Sequence, residues 1–217
     1  MIKGHFIVLE GIDGAGTTTQ ASRLVDRFTR QGLPAHVTAE PSSGPVGALI
    51  RQCLNGRLIS QRTQPPSPPS WKTMALLFAA DRQDHIEAEI QPNLREGVTV
   101  ISDRYVYSSI IYQSLSTDHE EAASWIRELN RFAPKPDLVL YLQVDPNEAC
   151  RRRLARDRKT EIFDDPGFQK RLATAYDHMV TDFPDTNIVT IDCHSSIDEV
   201  TDACWAEIET LRSKGAP

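Results

Sequence analysis

The chain has 217 residues, of which 40% are hydrophobic and 25% are charged, a composition typical of one globular domain with a substantial core. Its net charge of −6 disfavours a nucleic-acid-binding protein, which would need a broad basic face. No apolar run approaches the roughly eighteen residues of a membrane-spanning helix, so we expect neither nucleic acid nor a membrane among its partners.

The chain opens with a short apolar strand and a glycine-rich loop. Phe6 to Leu9 suit a buried strand, and residues 11–16 suit a loop whose backbone N–H groups surround a polyphosphate. Thr18 stands where such loops place a magnesium-binding hydroxyl, but Thr17 takes the position that the pattern G-x-x-x-x-G-K-S/T reserves for lysine. The loop therefore indicates a nucleotide-binding site. Either another part of the chain supplies the positive charge that neutralises the phosphates, or catalysis is weakened.

A helix is predicted directly after this loop. Ala21, Leu24, Val25 and Phe28 recur at helical spacing, and Gly32 is a suitable stop. A strand, a glycine loop and a helix in this order aim free N–H groups and the positive helix end at an anion. A dinucleotide-binding loop fits less well, because position 19 lacks the third glycine that it needs.

Four further apolar, β-branched runs alternate with segments of helical spacing. They lie at Val98–Ile101, Leu138–Val144 and Ile188–Ile191, with a weaker one at His36–Thr38. This alternation predicts an α/β fold with a parallel five-stranded sheet and helices on both faces. The four prolines of residues 64–70 predict a surface loop rather than a domain linker, so we expect residues 1–217 to form a single domain. The last helix is predicted from a stripe of apolar positions: Ile197, Val200, Cys204, Ile208 and Leu211.

Charged residues follow several of the predicted strands. In parallel sheets of this kind, ligands bind beyond the carboxyl ends of the strands. Asp103 ends an apolar strand, which is the usual position of a carboxylate that holds magnesium, so we expect Thr18 and Asp103 to form a metal site. Arg104 follows directly, and a cation at a buried strand end would be costly on its own. A phosphate and a metal ion between the two charges would account for the pair. Asp145 precedes Pro146 and is interpreted as a helix cap.

Basic residues cluster later in the chain. Six of its 24 basic residues fall within nine positions: Arg151, Arg152, Arg153, Arg156, Arg158 and Lys159. A charge run is usually a solvated helix face. Such density in an acidic chain nevertheless indicates an anionic ligand at this segment.

Cysteine usage and the start of the chain indicate the compartment. The four cysteines have no C-x-x-C spacing, so we expect free thiols and no cysteine-bound metal. Met1 leads directly into the first strand without a basic-then-apolar leader. Both observations predict a cytoplasmic protein.

Several motifs, in their order and spacing, resemble the thymidylate kinase family of P-loop nucleoside monophosphate kinases. Residues 10–20 are similar to the family's E-G-x-D-G-x-G-K-S/T-T-Q loop, and residues 40–41 to its R-E-P segment, although Ala39 replaces the arginine. Residues 77–82 are similar to its helix of base-stacking and phosphate-binding side chains. Residues 103–113 are similar to its D-R-Y/H-x-x-S-x-x-A-Y-Q block. The resemblance covers nearly the whole chain and implies a three-layer P-loop NTPase fold.

The resemblance also assigns roles by position. The ATP-binding residues would be Gly11, Ile12, Asp13, Gly14, Ala15, Gly16, Thr17, Thr18 and Thr19. The dTMP-binding residues would be Asp13, Glu40, Arg51, Phe78, Arg82, Arg104, Tyr105, Ser109 and Gln113. The catalytic residues would be Asp13, Arg104 and three arginines of a lid at about residues 150–165, namely Arg153, Arg156 and Arg158.

Individual side chains of the dTMP set have more specific implied roles. Phe78 would stack on the pyrimidine ring, and Arg82, one turn later on the same helix face, would reach the monophosphate. Ser109 and Gln113 would hydrogen-bond the thymine edge, and Tyr105 would close over the sugar and disfavour a ribose 2′-hydroxyl. Two alternatives remain open, a core position for Phe78 and a solvated surface position for Arg51.

The implied reaction is transfer of the ATP γ-phosphoryl group to dTMP, with Mg²⁺ bridging the donor phosphates and a homodimer as the assembly. Because Gly14 and Ala15 are small, the chain resembles the family arrangement in which arginines come from the lid. We hypothesise that Arg153, Arg156 or Arg158 supplies the charge that Thr17 lacks. The magnitudes permit this, since losing one preorganised donor costs roughly 10²–10³ in rate and an arginine from elsewhere is worth roughly 10³–10⁵.

Two alternative functions remain open at this stage. Thr17 and Ala39 favour a nucleotide-binding sensor that has lost catalysis. The second alternative is a kinase for a different deoxynucleoside monophosphate, such as dUMP. dUMP lacks the methyl group of dTMP, and one methyl group changes the binding free energy in a pocket by only about 1–3 kcal/mol.

Overall fold

The structure is a computed structural model that describes residues 4–60, 67–155 and 165–214. The strands are β1 Phe6–Glu10, β2 Ala35–Ala39, β3 Thr99–Asp103, β4 Leu138–Gln143 and β5 Ile188–Asp192. They form one parallel sheet in the order β2-β3-β1-β4-β5. The predicted five-stranded parallel sheet is therefore confirmed, with strand ends that differ from the predicted runs by one or two residues.

Helices connect the strands. They are α1 Thr17–Arg30, α2 Pro45–Leu54, α3 Trp71–His85, α4 Gln91–Arg95, α5 Val106–Leu115, α6 Ala122–Leu129, α7 Pro146–Leu154, α8 Pro166–Asp177, α9 Met179–Asp182 and α10 Ile197–Lys214. A π-helical turn at Ile86–Ile90 joins α3 to α4. The predicted first helix is α1, which ends just before Gly32, and the predicted final helix is α10. No helix in the described ranges is long and apolar enough to cross a membrane.

The core lies between the sheet and its helices. Strands β1 and β3 are buried along their whole length, as expected of central strands in a parallel sheet covered on both faces. Helices α1 and α10 pack on each other and on the sheet, while α5 packs on α8 and α6. This packing fixes the carboxyl ends of β1, β2 and β3 at one edge of the sheet, where the loops that carry the predicted site residues meet.

Some predictions fall partly outside the described residues. Of the proline-rich segment at 64–70, only residues 67–70 are described, and Ser67 pairs with Ser60 in an isolated bridge. Arg156 and Arg158, with most of the predicted lid, also lie outside the described ranges. All four cysteines are described and are free thiols.

Candidate active site

The glycine-rich loop between β1 and α1 has the conformation of an anion-binding loop. Gly14 and Gly16 have φ angles of 94° and 104°, which L side chains rarely adopt. A Cβ on Gly14 would lie 2.4 Å from the carbonyl oxygen of Ala149, so the close approach of α7 also requires glycine there. Helix α1 starts at Thr17 without a side-chain cap, which leaves its first N–H groups available to an anion.

A cavity at the carboxyl ends of β1, β2 and β3 is lined by most of the predicted site residues. All nine predicted dTMP-binding residues line it, together with five of the predicted ATP-binding residues, Asp13, Gly14, Gly16, Thr17 and Thr18. The other predicted loop residues are described but do not line it: Gly11, Ile12, Ala15 and Thr19. Donor and acceptor candidates therefore face one space. Its wall also includes Leu54, Pro41, Ser108 and Tyr112, which the sequence prediction left out.

Arg104 joins the phosphate loop to the loop after β3. Its φ angle of 72° places a non-glycine residue in the left-handed region, a strained conformation that is concentrated at functional sites. The guanidinium donates to the Asp13 carboxylate at 2.6 Å and to the Gly11 carbonyl at 2.9 Å. It also donates to the Ser108 hydroxyl at 3.0 Å. These bonds aim a cation into the cavity directly beside the anion-binding loop.

Thr18 and Asp103 meet as the sequence predicted for a metal site. The Thr18 hydroxyl donates to Oδ2 of Asp103. The other carboxylate oxygen, Oδ1, is buried and finds no hydrogen-bond partner among the described residues. Mg²⁺ prefers oxygen ligands of this kind, with water and phosphate oxygens completing its shell. The pair therefore fits a magnesium ion bound next to the phosphate loop.

Glu10 is a structural member of the site that the prediction did not include. It is wholly buried at the end of β1 and accepts from the backbone N–H groups of Tyr105 and Ser108, at 2.9 and 3.2 Å. It also accepts from the hydroxyls of Ser108 and Tyr176, at 2.6 and 3.0 Å. Burial raises the pKa of Glu10, against the opposing effects of the Arg104 charge and these hydrogen bonds. Glu10 thereby anchors the start of α5 and the Arg104 loop.

Arg82 is the centre of the acceptor side of the cavity. It is 1% exposed and donates through Nη2 to Glu40 at 2.5 Å and to Ser109 at 2.8 Å. Nη1 donates to the Asn130 side chain at 2.5 Å. Asn130 was not predicted, because it comes from the end of α6, 48 positions away. The guanidinium is thus positioned by three side chains before any ligand arrives.

Tyr105 lies in the floor of the cavity. It is 1% exposed, packs edge-on against Phe6 with ring centroids 5.0 Å apart, and lies under the Arg82 guanidinium at 5.3 Å. This position does not favour the expected role of closing over a sugar, because the ring is held in the core. Tyr112 is better placed at the wall, with its hydroxyl 3.2 Å from Oδ2 of Asp13.

The remaining acceptor candidates surround this floor. Phe78 lies one turn before Arg82 and lines the cavity. It also packs against the small hydrophobic cluster around Ile50, so it is at once a cavity residue and a core residue, the two positions that the sequence left open. Arg51 donates to the carbonyl oxygens of Pro41 and Ser42, at 2.9 and 2.6 Å, which holds it over the cavity rather than in open solvent. Gln113 is buried, and its Oε1 has no hydrogen-bond partner in the described ranges.

The donor side of the cavity contains less fixed charge. Thr17 lines the cavity but adds no cation. Arg153, from α7, reaches the loop from outside, where Nη1 donates to the Asp13 carbonyl at 2.6 Å and to Gln169 at 3.3 Å. Asp145 begins α7 and accepts from two backbone N–H groups, so its predicted role as a helix cap is confirmed.

The comparison with protein families agrees with this geometry. The sequence model of the family described as thymidylate kinase matches residues 9–204. The chain belongs to the thymidylate kinase family. A probable thymidylate kinase from Pyrococcus horikoshii is 38% identical over 200 residues, which cover 92% of this chain and 93% of the relative. One from Thermococcus kodakarensis is 38% identical over 216 residues, which cover 95% of this chain and 98% of the relative.

A solved structure gives the same result for the fold. The thymidylate kinase from Candida albicans superposes with a TM-score of 0.74 at 29% identity, over 97% of this chain and 93% of that one. The thymidylate kinase family resemblance and the P-loop fold predicted from the sequence are therefore confirmed. The roles of individual site residues stay predictions.

Proposed function

We propose that this member of the thymidylate kinase family transfers the γ-phosphoryl group of ATP to dTMP, giving dTDP and ADP. The observation that carries the proposal is the position of Arg104. It contacts the phosphate loop through Asp13 and Gly11, and it lines the cavity that also holds Phe78 and Arg82. One cation therefore lies at the boundary between a donor-phosphate site and an acceptor site.

The chemistry requires positioning and charge neutralisation more than covalent participation by the protein. A phosphate oxygen of dTMP attacks the γ-phosphorus as the bond to the β,γ-bridging oxygen breaks, and ADP leaves. Arg104 would stabilise the negative charge that passes between the two nucleotides. Asp13 would keep the Arg104 guanidinium in place, since their side chains are 2.6 Å apart. Holding both nucleotides in this one cavity would supply the orientation that the reaction needs.

The acceptor side would recognise a pyrimidine nucleotide. Phe78 offers an aromatic face to the base, while Ser109 and Gln113 offer polar groups to its edge. Arg51 and Arg82 would meet the monophosphate or the base carbonyls from the cavity wall. Oε1 of Gln113 is buried and has no hydrogen-bond partner among the residues that the structure describes. This supports the assignment, because buried polar atoms are normally paired and a bound base would supply the partner.

Magnesium would be held by Thr18 and Asp103 and would neutralise charge on the donor phosphates. Arg153 would supply part of the charge that the loop lacks at Thr17, since its guanidinium already reaches the Asp13 carbonyl. Arg156 and Arg158 would add to it from the lid at about residues 150–165.

Further parts of the proposal concern the whole protein. We propose a single kinase domain that works in the cytoplasm as a homodimer and binds ATP and dTMP but no nucleic acid. The four free cysteines are consistent with a reducing compartment. Family membership favours dTMP over the two alternative functions, a silent sensor and a kinase for another deoxynucleoside monophosphate. The Candida albicans enzyme is described as having broad substrate specificity, so the acceptor requires a direct comparison.

The test is steady-state turnover with ATP and Mg²⁺ in parallel assays with dTMP, dUMP and dCMP. We expect kcat/KM to be highest for dTMP and to be lost in Arg104→Met. Arg30→Met replaces an exposed arginine outside the cavity and serves as the matched control. A higher kcat/KM for another monophosphate would show that dTMP is not the preferred acceptor. Tight nucleotide binding without turnover would contradict the proposed activity and favour the sensor.

A further inference from the structure

A line of polar side chains runs from the acceptor side of the cavity to the protein surface. It consists of Arg82, Glu40, His85, Glu89 and His36, in that order. The last three take no part in the proposed reaction. Their burial falls gradually along the line, from a His85 side chain with no exposure to a His36 side chain that is 40% exposed.

His85 has partners on both ring nitrogens. Nδ1 lies 3.4 Å from Oε1 of Glu40, and Nε2 lies 2.6 Å from the Thr38 hydroxyl. Nε2 is also 3.6 Å from Oε2 of Glu89, whose other oxygen is 2.7 Å from His36. These partners lie on strand β2, at the residue directly after it, and on the π-helical turn. The imidazole ring at the end of α3 is therefore fixed in orientation by groups from outside its own helix.

Glu40 is shared between His85 and Arg82. One carboxylate oxygen accepts from Arg82 at 2.5 Å, and the other faces His85 at 3.4 Å. A glutamate side chain held at one oxygen still rotates about its terminal bond, whereas contacts at both oxygens define the carboxylate plane. His85 thus supports, from behind, the carboxylate that positions the acceptor-side arginine.

We propose that His85 is a positioning residue for the acceptor nucleotide, acting through Glu40 on Arg82. The proposal rests on the proposed function, since it presumes that Arg82 binds dTMP. Arg82 is sensitive to such support, because its Nε has no hydrogen-bond partner within the described part of the chain. Among the described residues, its hydrogen bonds are to Glu40, Ser109 and Asn130. His85 would hold the Glu40 contact without touching substrate itself.

Two amide substitutions distinguish this role from simple filling of the core. Asparagine at position 85 places its amide N–H near the position of Nδ1, toward Glu40. Glutamine places its N–H near the position of Nε2, toward Thr38. We expect His85→Gln to raise KM for dTMP about tenfold, the scale of a lost hydrogen bond to a charged group, and His85→Asn to stay within about threefold of wild type. KM for ATP should not change in either variant.

His36→Ala is the matched control. It removes a histidine from the same line of polar side chains, but His36 contacts Glu89 and not Glu40. We expect its KM for dTMP to equal that of wild type. Equal effects of asparagine and glutamine at position 85, or parallel changes in KM for ATP and dTMP, would overturn the proposal. An inactive wild-type protein would instead contradict the proposed function, so the two failures can be told apart.

A measurement on the unsubstituted protein covers the case in which a variant does not fold. With ¹⁵N-labelled histidine, the Nδ1 resonance of His85 should move when dTMP saturates the protein and stay in place with a non-hydrolysable ATP analogue. An unchanged resonance with dTMP would overturn the proposal.

Discussion

The two sides of the cavity differ in how their charges are held. On the acceptor side, Arg82 is fully buried and bonded to Glu40, Ser109 and Asn130. On the donor side, the loop position normally taken by lysine is Thr17. Arg153 reaches the loop from α7 and bonds to a backbone carbonyl, while Arg104 contacts the loop at the boundary between the two sides. The acceptor side is thus assembled by the fold, while the donor side combines backbone N–H groups with arginines from a separate segment.

We expect this difference to let the kinase work without a loop lysine. A buried charge pair is costly to alter, because removing one partner leaves the other uncompensated. Arg153 reaches the loop from a different element, α7, so its contribution does not depend on the Arg82–Glu40 pair. We therefore expect substitution at Thr17 to change the phosphate site and to leave the Arg82–Glu40 pair in place.

The largest expected effect is at the boundary between the two sides. Replacing Arg104 by methionine removes the cation that contacts the phosphate loop and lines the acceptor cavity. We expect kcat to fall by about 10³-fold, in the range measured for arginines that stabilise phosphoryl transfer. Steady-state kinetics would measure it, with Arg30→Met as the control. A change confined to KM for one nucleotide would assign Arg104 to that side alone.

The second effect concerns the stability of the acceptor side. Glu40→Gln should lower the free energy of unfolding by about 3 kcal/mol, because Arg82 would keep its buried charge without a counter-charge. Urea unfolding measures the difference. Glu128→Gln is the control, since it breaks an ion pair with Arg131 in which both side chains are more than half exposed, and we expect no measurable change. Equal stability of the two variants would mean that the Arg82–Glu40 pair is not desolvated.

The third effect tests the donor side. Arg153→Ala should lower kcat by about 10²-fold, near the lower end for one preorganised donor. The same substitution combined with Thr17→Lys should cost less, because the lysine would restore charge at the loop. Arg151→Ala, which removes an exposed arginine paired with Glu148, is the control. If the loss from Arg153→Ala is the same in both backgrounds, the arginine does not replace the lysine.

The smallest effect is the pH dependence caused by Glu10. Burial raises the pKa of Glu10 above its ordinary value of 4.5. The stability that its protonated form contributes is therefore fully present below pH 4.5 and is lost as the pH rises through the raised pKa of the folded state. Glutamine stays neutral at every pH. The free energy of unfolding of Glu10→Gln should therefore increase relative to that of wild type as the pH rises. A pH-independent difference in urea unfolding would contradict this.

Much of the frame was predictable from local pattern. The apolar runs of β1 and β4 have the continuity of strands buried on both faces, and the glycine loop after β1 is defined by spacing alone. The spacing of Phe78 and Arg82 predicted a shared helix face, and both side chains line the cavity. Contacts between distant segments were not predictable. Asn130 joins the site through a hydrogen bond across 48 positions, and no local signal marks it. Glu10 and Tyr112 lie inside the quoted motifs, but their contacts across 95 and 99 positions follow only from the fold.

The central claim is that the chain is a working dTMP kinase whose donor site functions without the loop lysine. The most direct test is steady-state turnover of the purified protein with ATP, Mg²⁺ and dTMP, beside the same protein carrying Thr17→Lys. We predict robust turnover of the wild-type protein and little gain from the lysine. Barely detectable wild-type turnover that Thr17→Lys restores would contradict the claim and would identify the chain as a nucleotide-binding protein with a disabled phosphate loop.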